Sequence, residues 1–289
     1  MNILTGLRTR LRAFLTYPMQ VAGVAMLLLF LAIALFGKEW APHDPLLIDM
    51  GNRLQAPDWN YPLGTDHLGR CLLSRLLVGA QATLGLSAVV IILVAMIGVP
   101  IGVWAGYTGG RWDALLMRIV DGAGALPEFL VAVAIAGFLG PGLSHVMLAI
   151  ACVKWIGYAR LARGIVQAER TKEYIAAAVV SGSTDPAIIR RHVLRHLVSP
   201  LAIVAAGDIG RTILLISALS YLGLGAQPPA PEWGAMLNDG RSYFQKAPEL
   251  MLYPGLCILA VVLACNMISD SLRDRLDVRN RAKLSEAGR

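Results

Sequence analysis

The chain has 289 residues, 56% of them hydrophobic and 16% charged, with a mean hydropathy of +0.59 and a formal net charge of +7. Charge that sparse excludes a water-exposed globular surface, and apolar runs near 20 residues recur, the length that crosses a hydrocarbon layer about 30 Å thick as an α-helix. The positive charge clusters at the ends of those runs and forms no continuous basic face, which argues against nucleic acid as a partner.

In chain order, Arg8, Arg10 and Arg12 lie in a tail, 1–16, ahead of a first span at Tyr17–Phe36. No small-residue cleavage site follows Phe36, so the run reads as an uncleaved anchor. A loop, Gly37–Ala82, carries turn chemistry at Ala41-Pro42-His43-Asp44-Pro45 and Gly64-Thr65-Asp66, and is weakly helical at Leu68–Ala80. The membrane core, 83–272, then holds spans at Thr83–Gly106, Ala114–Leu139, Leu143–Ala162, Val198–Leu222 and Met251–Ile268. A second loop, Gly223–Leu250, is punctuated by Gly223, Gly225, Pro228, Pro229, Pro231 and Gly234, and a basic tail, 273–289, closes the chain. The fold class is therefore an all-α integral membrane protein of about six transmembrane helices. An even number of spans puts both termini on one side. The distribution of Lys and Arg makes that side the cytoplasm and leaves the two long loops outside. The tail is read as a positive-inside anchor on anionic lipid.

Between the fourth and fifth spans, the loop 163–197 contains a segment, Glu173–Pro200, that is polar yet helical. Two amphipathic pieces are expected, broken at Gly182–Asp185, with Asp185 as N-cap and Pro186 at the first helical position. Ile189, Val193 and Leu197 fall on one face, while Arg190, Arg191 and Arg195 project elsewhere. Such a hairpin lies against a membrane without crossing it, and reads as a docking element. His192 and His196 stand at a spacing that could hold zinc, but no third ligand is near, and they read as interfacial residues.

Ionisable residues inside spans are expensive and usually face a cavity or a partner. Glu128 lies fourteen residues into the third span, roughly 21 Å deep at 1.5 Å per residue. Lys154 is near the middle of the fourth span, and Asp208 sits mid-way along the fifth with Arg211 three residues on. Two readings stay open: the four neutralise one another and fix packing, or some line a translocation path. Enzymatic signatures are missing, with no GxxxxGK[ST], HExxH or GxSxG. The four cysteines, Cys71, Cys152, Cys257 and Cys265, show no metal-ligand or disulfide pattern.

Motifs in order along nearly the whole chain resemble the permease subunits of ABC importers for peptides and nickel, specifically the second permease of the heterodimer. They are Leu63-Gly64-Thr65-Asp66-His67-Leu68-Gly69-Arg70 with Ser74-Arg75, then Gly106-Tyr107-Thr108-Gly109-Gly110-Arg111-Trp112-Asp113 and Tyr158-Ala159-Arg160. After them come Leu222-Gly223-Leu224-Gly225, Pro228-Pro229-Ala230-Pro231-Glu232-Trp233-Gly234, Pro254-Gly255-Leu256 and Asp270-Ser271-Leu272-Arg273-Asp274.

The resemblance implies a type I ABC importer permease fold in a bacterial inner membrane. It also implies a homologous permease as partner, two cytoplasmic ATPases that carry the ATP and Mg, and an extracytoplasmic solute-binding protein. No cofactor is implied for this chain, and it is expected not to be an enzyme. The hairpin resembles the family's EAA loop, although its acidic first residue is absent from Ala176-Ala177-Ala178 and no proline stands within Val193-Leu194-Arg195. ATPase coupling is thus expected of Glu173, Ala177, Ala178, Gly182, Arg190, Arg191 and Arg195, and the translocation path of Glu128, Lys154, Asp208 and Arg211. Binding-protein contacts are expected of Asp66, Arg70, Glu232 and Trp233.

Resemblance of Asp208-Ile209-Gly210 and of Ile48-Asp49, Arg53-Leu54 and Gly64–Arg70 to nickel members leans the substrate towards nickel, free or chelated, with Glu128 and Asp208 as weak transient ligands. Peptides are the alternative, since Glu232-Trp233-Gly234 also occurs in dipeptide permeases. Cys71 stands where the family usually has aspartate and is read as a surface substitution. A secondary transporter or an integral membrane enzyme are rival classes; neither inverted repeats nor a catalytic cluster is visible.

Overall fold

The computed structural model describes residues 18–276, with side chains over 21–274. The N-terminal basic tail and most of the C-terminal one lie outside the described residues. No strand occurs among the described residues, and ten α-helices do: α1 (Pro18–Trp40), α2 (Leu72–Thr108), α3 (Gly110–Ala123), α4 (Glu128–Leu139), α5 (Leu143–Arg170), α6 (Glu173–Val180), α7 (Asp185–Ile188), α8 (Leu194–Tyr221), α9 (Trp233–Gly240) and α10 (Glu249–Leu276). Five runs are long and apolar enough to cross a membrane, or six if the bent pair α3 and α4 counts as one.

The chain forms two compact units, Met1–Gly85 with Ala206–Arg289, and Leu86–Ala205, with the boundaries inside α2 and α8. In the first unit α1 packs on α10 closely enough that a Cβ on Gly23 would stand 2.7 Å from that of Met267. Its apolar core gathers Phe30, Leu72, Leu76, Ile213, Trp233, Met236, Leu250 and Val261. Trp233 meets Phe30 edge-on at 6.0 Å and donates its indole N–H to Leu76 O at 3.0 Å.

In the second unit, Gly98, Gly102 and Gly106 make one stripe along α2 that admits the backbone of α5. A Cβ at these three positions would stand 2.5 Å from Trp155 O, 2.2 Å from Ala159 O and 2.8 Å from Arg163 O. Small residues at four-residue spacing allow this close packing, which substitutes for a hydrophobic driving force between helices in lipid. Below it, Val103, Ala162, Val166, Ile175, Ile188, Val193 and Leu197 form the core that seats α6 and α7.

Several elements depart from expectation. The helix expected from Thr83 begins at Leu72, so Leu68–Ala80 contributes its last residues to α2. The third span is not one helix: α3 and α4 meet at 81°. Pro127 is the cause, because its ring excludes helical continuity with residue 123, where α3 stops, and Gly122 and Gly124 weaken the same turn.

The second arm of the hairpin does not end before Pro200 but runs through a π turn at Ile189–Val193 into α8. Leu194 N–H bonds to Ile189 O across that turn. The five-residue step brings Ile188, Val193 and Leu197 onto the buried face and leaves Ile189 only partly covered. Thr184, not Asp185, is the N-cap, and the Asp185 carboxylate accepts from Tyr107 OH at 2.8 Å instead.

Candidate functional site

The hairpin is built from the charged run that ends α5. Glu169 is buried there and accepts from Lys172 Nζ at 2.5 Å and from Tyr174 OH, while His196 Nε2 lies 3.7 Å away. Burial and the Glu169 carboxylate both push the Tyr174 phenol up from its ordinary range. Arg195 caps the Tyr174 ring at 5.9 Å. Glu169 and Tyr174 were not singled out from sequence, although a Glu followed by Lys at i+3 and Tyr at i+5 was available as a signal.

This clamp turns α6 so that Ile175 and Ala178 face the core, and Glu173, Ala176, Ala177 and Val180 face outward. Val180 is 89% exposed. Of the expected coupling residues, Ala178 is thus the one that faces inward. Gly182 marks the tip with φ +78° and open space around the position of a Cβ, a conformation that glycine adopts without strain. Arg190, Arg191 and Arg195 are exposed. The root is tied by Arg170, which stacks on Tyr107 at 5.7 Å. Among the described residues no group of three His, Cys, Asp or Glu could hold a metal, and His192 and His196 gain no third ligand.

The membrane charges lie next to one another in pairs. Glu128 Oε1 is 3.5 Å from Lys154 Nζ, with side chains 47% and 7% exposed. Asp208 Oδ1 is 3.9 Å from Arg211 Nη1, with Asp208 13% and Arg211 79% exposed. The depth expected for Glu128 is corrected: it is the first residue of α4, just after the break, not the middle of a continuous helix.

The four residues expected to meet a binding protein are buried. Asp66 accepts from the N–H groups of Leu68 and Arg70 at 2.8 and 3.0 Å and from Arg70 Nε at 2.6 Å, with Arg75 Nε at 3.4 Å. Asp239 completes the cluster at 3.8 Å from Arg70 and 3.7 Å from Arg75. Glu232 accepts from Thr83 Oγ1 at 3.0 Å and from Gly234 and Ala235 N–H at 2.9 Å, capping α9. These groups fasten the loops together, and Asp66, Arg70, Glu232 and Trp233 are buried in this chain. Cys71, expected at the surface, is buried as well. The loop around 41–71 exposes large apolar residues, Leu46, Leu47, Ile48, Met50 and Trp59, alongside the charged Asp44, Asp49, Arg53 and Asp58. Gly69 holds it in place, with φ +76° and Asp49 O only 1.7 Å from where a Cβ would stand.

Five or six apolar runs long enough to cross a membrane, with a clamped hairpin between two of them, define a multi-pass membrane protein. The family profile of the binding-protein-dependent transport system inner membrane component matches residues 98–282, and the chain belongs to that family. It is 38% identical over 261 residues to the nickel transport system permease protein NikC of Escherichia coli (strain K12), covering 90% of this chain and 94% of that protein. It is 39% identical over 268 residues to the probable D,D-dipeptide transport system permease protein DdpC of the same strain, covering 93% and 90%. Identity to the glutathione transport system permease protein GsiD of Escherichia coli O6:K15:H31 is also 39%, over 267 residues, covering 92% and 88%. Among solved structures, an inward-facing MetNI methionine ABC transporter superposes with a TM-score of 0.53 at 18% identity, over 69% of this chain and 95% of that one. The chain has the ABC importer permease fold and is a permease subunit of such an importer.

Proposed function

We propose that the chain forms half of the translocation path for a small solute carrying both charges, a short peptide or a nickel chelate, in preference to the bare nickel ion. The observation that carries this is the pairing of Glu128 with Lys154 and of Asp208 with Arg211. A carboxylate beside a cation presents little net field to a divalent ion, whereas an adjacent acid and base suit a zwitterion. The relatives support either solute, since nickel, dipeptide and glutathione permeases are similar to this chain at 38–39% identity.

In this reading a homologous permease supplies the other half, and two cytoplasmic ATPases bind and hydrolyse ATP with Mg. A solute-binding protein delivers substrate to the exposed apolar residues of the first loop, and both termini are cytoplasmic. The outward face of α6, with Glu173, Ala177 and Val180, docks on an ATPase beside Arg190, Arg191 and Arg195, and rigid-body motion of the helices alternates access. The cavity binds the solute more weakly when open inwards, since only a difference in affinity between states drives release.

The test is solute-stimulated ATPase activity of the reconstituted complex with its binding protein, comparing nickel chloride, a nickel chelate and a panel of dipeptides. Stimulation by a chelate or a peptide is expected. Stimulation by bare nickel alone would overturn the reading, and transport by the chain without an ATPase would overturn the class.

Gly182→Val should insert normally yet uncouple ATP hydrolysis from uptake. A β-branched residue at φ +78° costs on the order of 1–3 kcal/mol. If that strain distorts the docked tip, uptake per ATP should drop about tenfold. Unchanged coupling in the variant would remove the hairpin tip from the docking surface.

A further inference from the structure

The 81° bend between α3 and α4 forces a choice, because two helices so related cannot both run along the membrane normal. Composition decides it. Over its twelve residues α4 has one charge, Glu128, at its first position, and is otherwise apolar. Over its fourteen residues α3 carries Arg111, Asp113, Arg118 and Asp121, which hydrocarbon would not accept along one helix. So α4 enters the bilayer, and α3 lies along its surface.

The partners of α3 on α5 agree. Asp113 receives both Nε and Nη2 of Arg163, at 2.5 and 2.7 Å, and Asp121 meets Arg160 at 3.0 Å. From residue 113 to 121 α3 advances about 12 Å, while its partners on α5 shift by three residues, about 4.5 Å. The two axes are therefore steeply crossed.

Depth follows from α5 itself. Counting 20 residues, about 30 Å, from Leu143 at the opposite end places the hydrocarbon boundary near residue 162, at the level of Arg160 and Arg163. Gly106 of α2 packs against Arg163 at that level, so nearby Trp104 belongs to the same interface. Trp104 and Trp112 are both exposed, with ring centroids 6.4 Å apart, as in an interfacial aromatic belt.

The faces of α3 are sorted to match. Asp113, Met117 and Val120 are buried against the chain. At 100° per residue Trp112, Leu115 and Ile119 make an adjacent exposed apolar stripe, and Arg111 and Arg118 flank it on the outer side. Neither arginine has an ion-pair partner among the described residues, whereas both aspartates do.

We infer that α3 is a membrane-surface helix that seats anionic phospholipid, with Trp112, Leu115 and Ile119 among the acyl chains and Arg111 and Arg118 on lipid phosphates. Charge complementarity selects this occupant: after Asp113 and Asp121 are paired, the exposed side of α3 is left with positive charge only.

The experiment uses the complete importer complex, purified and reconstituted in phosphatidylcholine vesicles with or without about one-quarter phosphatidylglycerol, so that anionic headgroups are the variable. Retained lipid is quantified by native mass spectrometry. The Arg111→Gln/Arg118→Gln variant is expected to assemble as the parent does and to retain about tenfold less phosphatidylglycerol, with phosphatidylcholine unchanged. Equal retention of phosphatidylglycerol would overturn the inference. In parallel, a fluorophore on Leu115→Cys is expected to be quenched by brominated lipid. Protection from quenching, together with crosslinking of that cysteine to the second permease, would show a protein on this face and would overturn the inference equally.

Discussion

Glu232→Ala is expected to lower the thermal unfolding midpoint of the purified complex by about 10 °C, with less protein recovered from the membrane. The side chain is fully buried and is the acceptor for three donors: Thr83 Oγ1, Gly234 N–H and Ala235 N–H. Alanine leaves all three without that partner, in a place where water does not enter. An orphaned buried donor costs about 1–3 kcal/mol, and a lost helix cap about 1 kcal/mol, so a total near 3–5 kcal/mol is reasonable for a shared acceptor. Gly234 cannot move to find a new partner, because a Cβ there would stand 2.5 Å from Ser217 Cα.

Thr83→Val removes one of the three bonds, and with it the acceptor that Thr83 Oγ1 offers the Trp233 N–H at 3.3 Å, and should cost about 1–3 kcal/mol. Combining it with Glu232→Ala should add less than its full cost, since both changes cut the Thr83–Glu232 bond and only the Trp233 N–H bond is lost anew. If the two losses instead sum fully, Thr83 and Glu232 act independently. A midpoint within a degree or two of the parent for Glu232→Ala would mean that the carboxylate does not organise α9.

The membrane helices were legible because hydrophobic burial writes itself locally, as uninterrupted apolar runs. The hairpin was legible for the same reason, its polar stretch standing out between two spans. The break at Pro127 is present as Gly122-Ala123-Gly124-Ala125-Leu126-Pro127, but averaging hydropathy over a window hides a change of direction, so the third span reads as continuous through it. Depth arguments that assume one straight helix then misplace Glu128.

The loops misled for a different physical reason. Polar residues in a loop are ordinarily solvated, so Asp66, Arg70 and Glu232 read as available to a partner. What buries them is contact at a distance: Thr83 with Glu232 is separated by 149 residues, and Arg75 reaches Pro229 O across 154. No local pattern announces such pairs. The i,i+4 spacing of Asp66 and Arg70 did hint that the two satisfy each other. The loop still exposes Asp44, Asp49, Arg53 and Asp58, beside the apolar Leu46, Leu47, Ile48, Met50 and Trp59.

Asp66→Asn is expected to destabilise the complex by about 3–5 kcal/mol, because Arg70 and Arg75 are buried and would share only Asp239. Asp239 stands at 3.7 and 3.8 Å, outside good hydrogen-bond range, and its side chain is 30% exposed, so it cannot replace the short Arg70–Asp66 bond. Asparagine preserves shape and can still accept from the Leu68 and Arg70 N–H groups, but its NH2 then faces Arg70 Nε, so both the charge and that acceptor are lost. The cost should therefore shrink when the buried cations are removed too. Asp66→Asn with Arg70→Met should recover part of the loss, since a buried ion pair replaced by apolar groups is often near neutral. Arg75 is left intact in that pair because it also donates to Pro45 O and Pro229 O at 3.3 Å, and removing it would open the loop for another reason. The readout is the unfolding midpoint of each variant in the same detergent. A double variant as unstable as Asp66→Asn alone would place the energy in loop geometry, and a stable Asp66→Asn would show that water reaches the cluster.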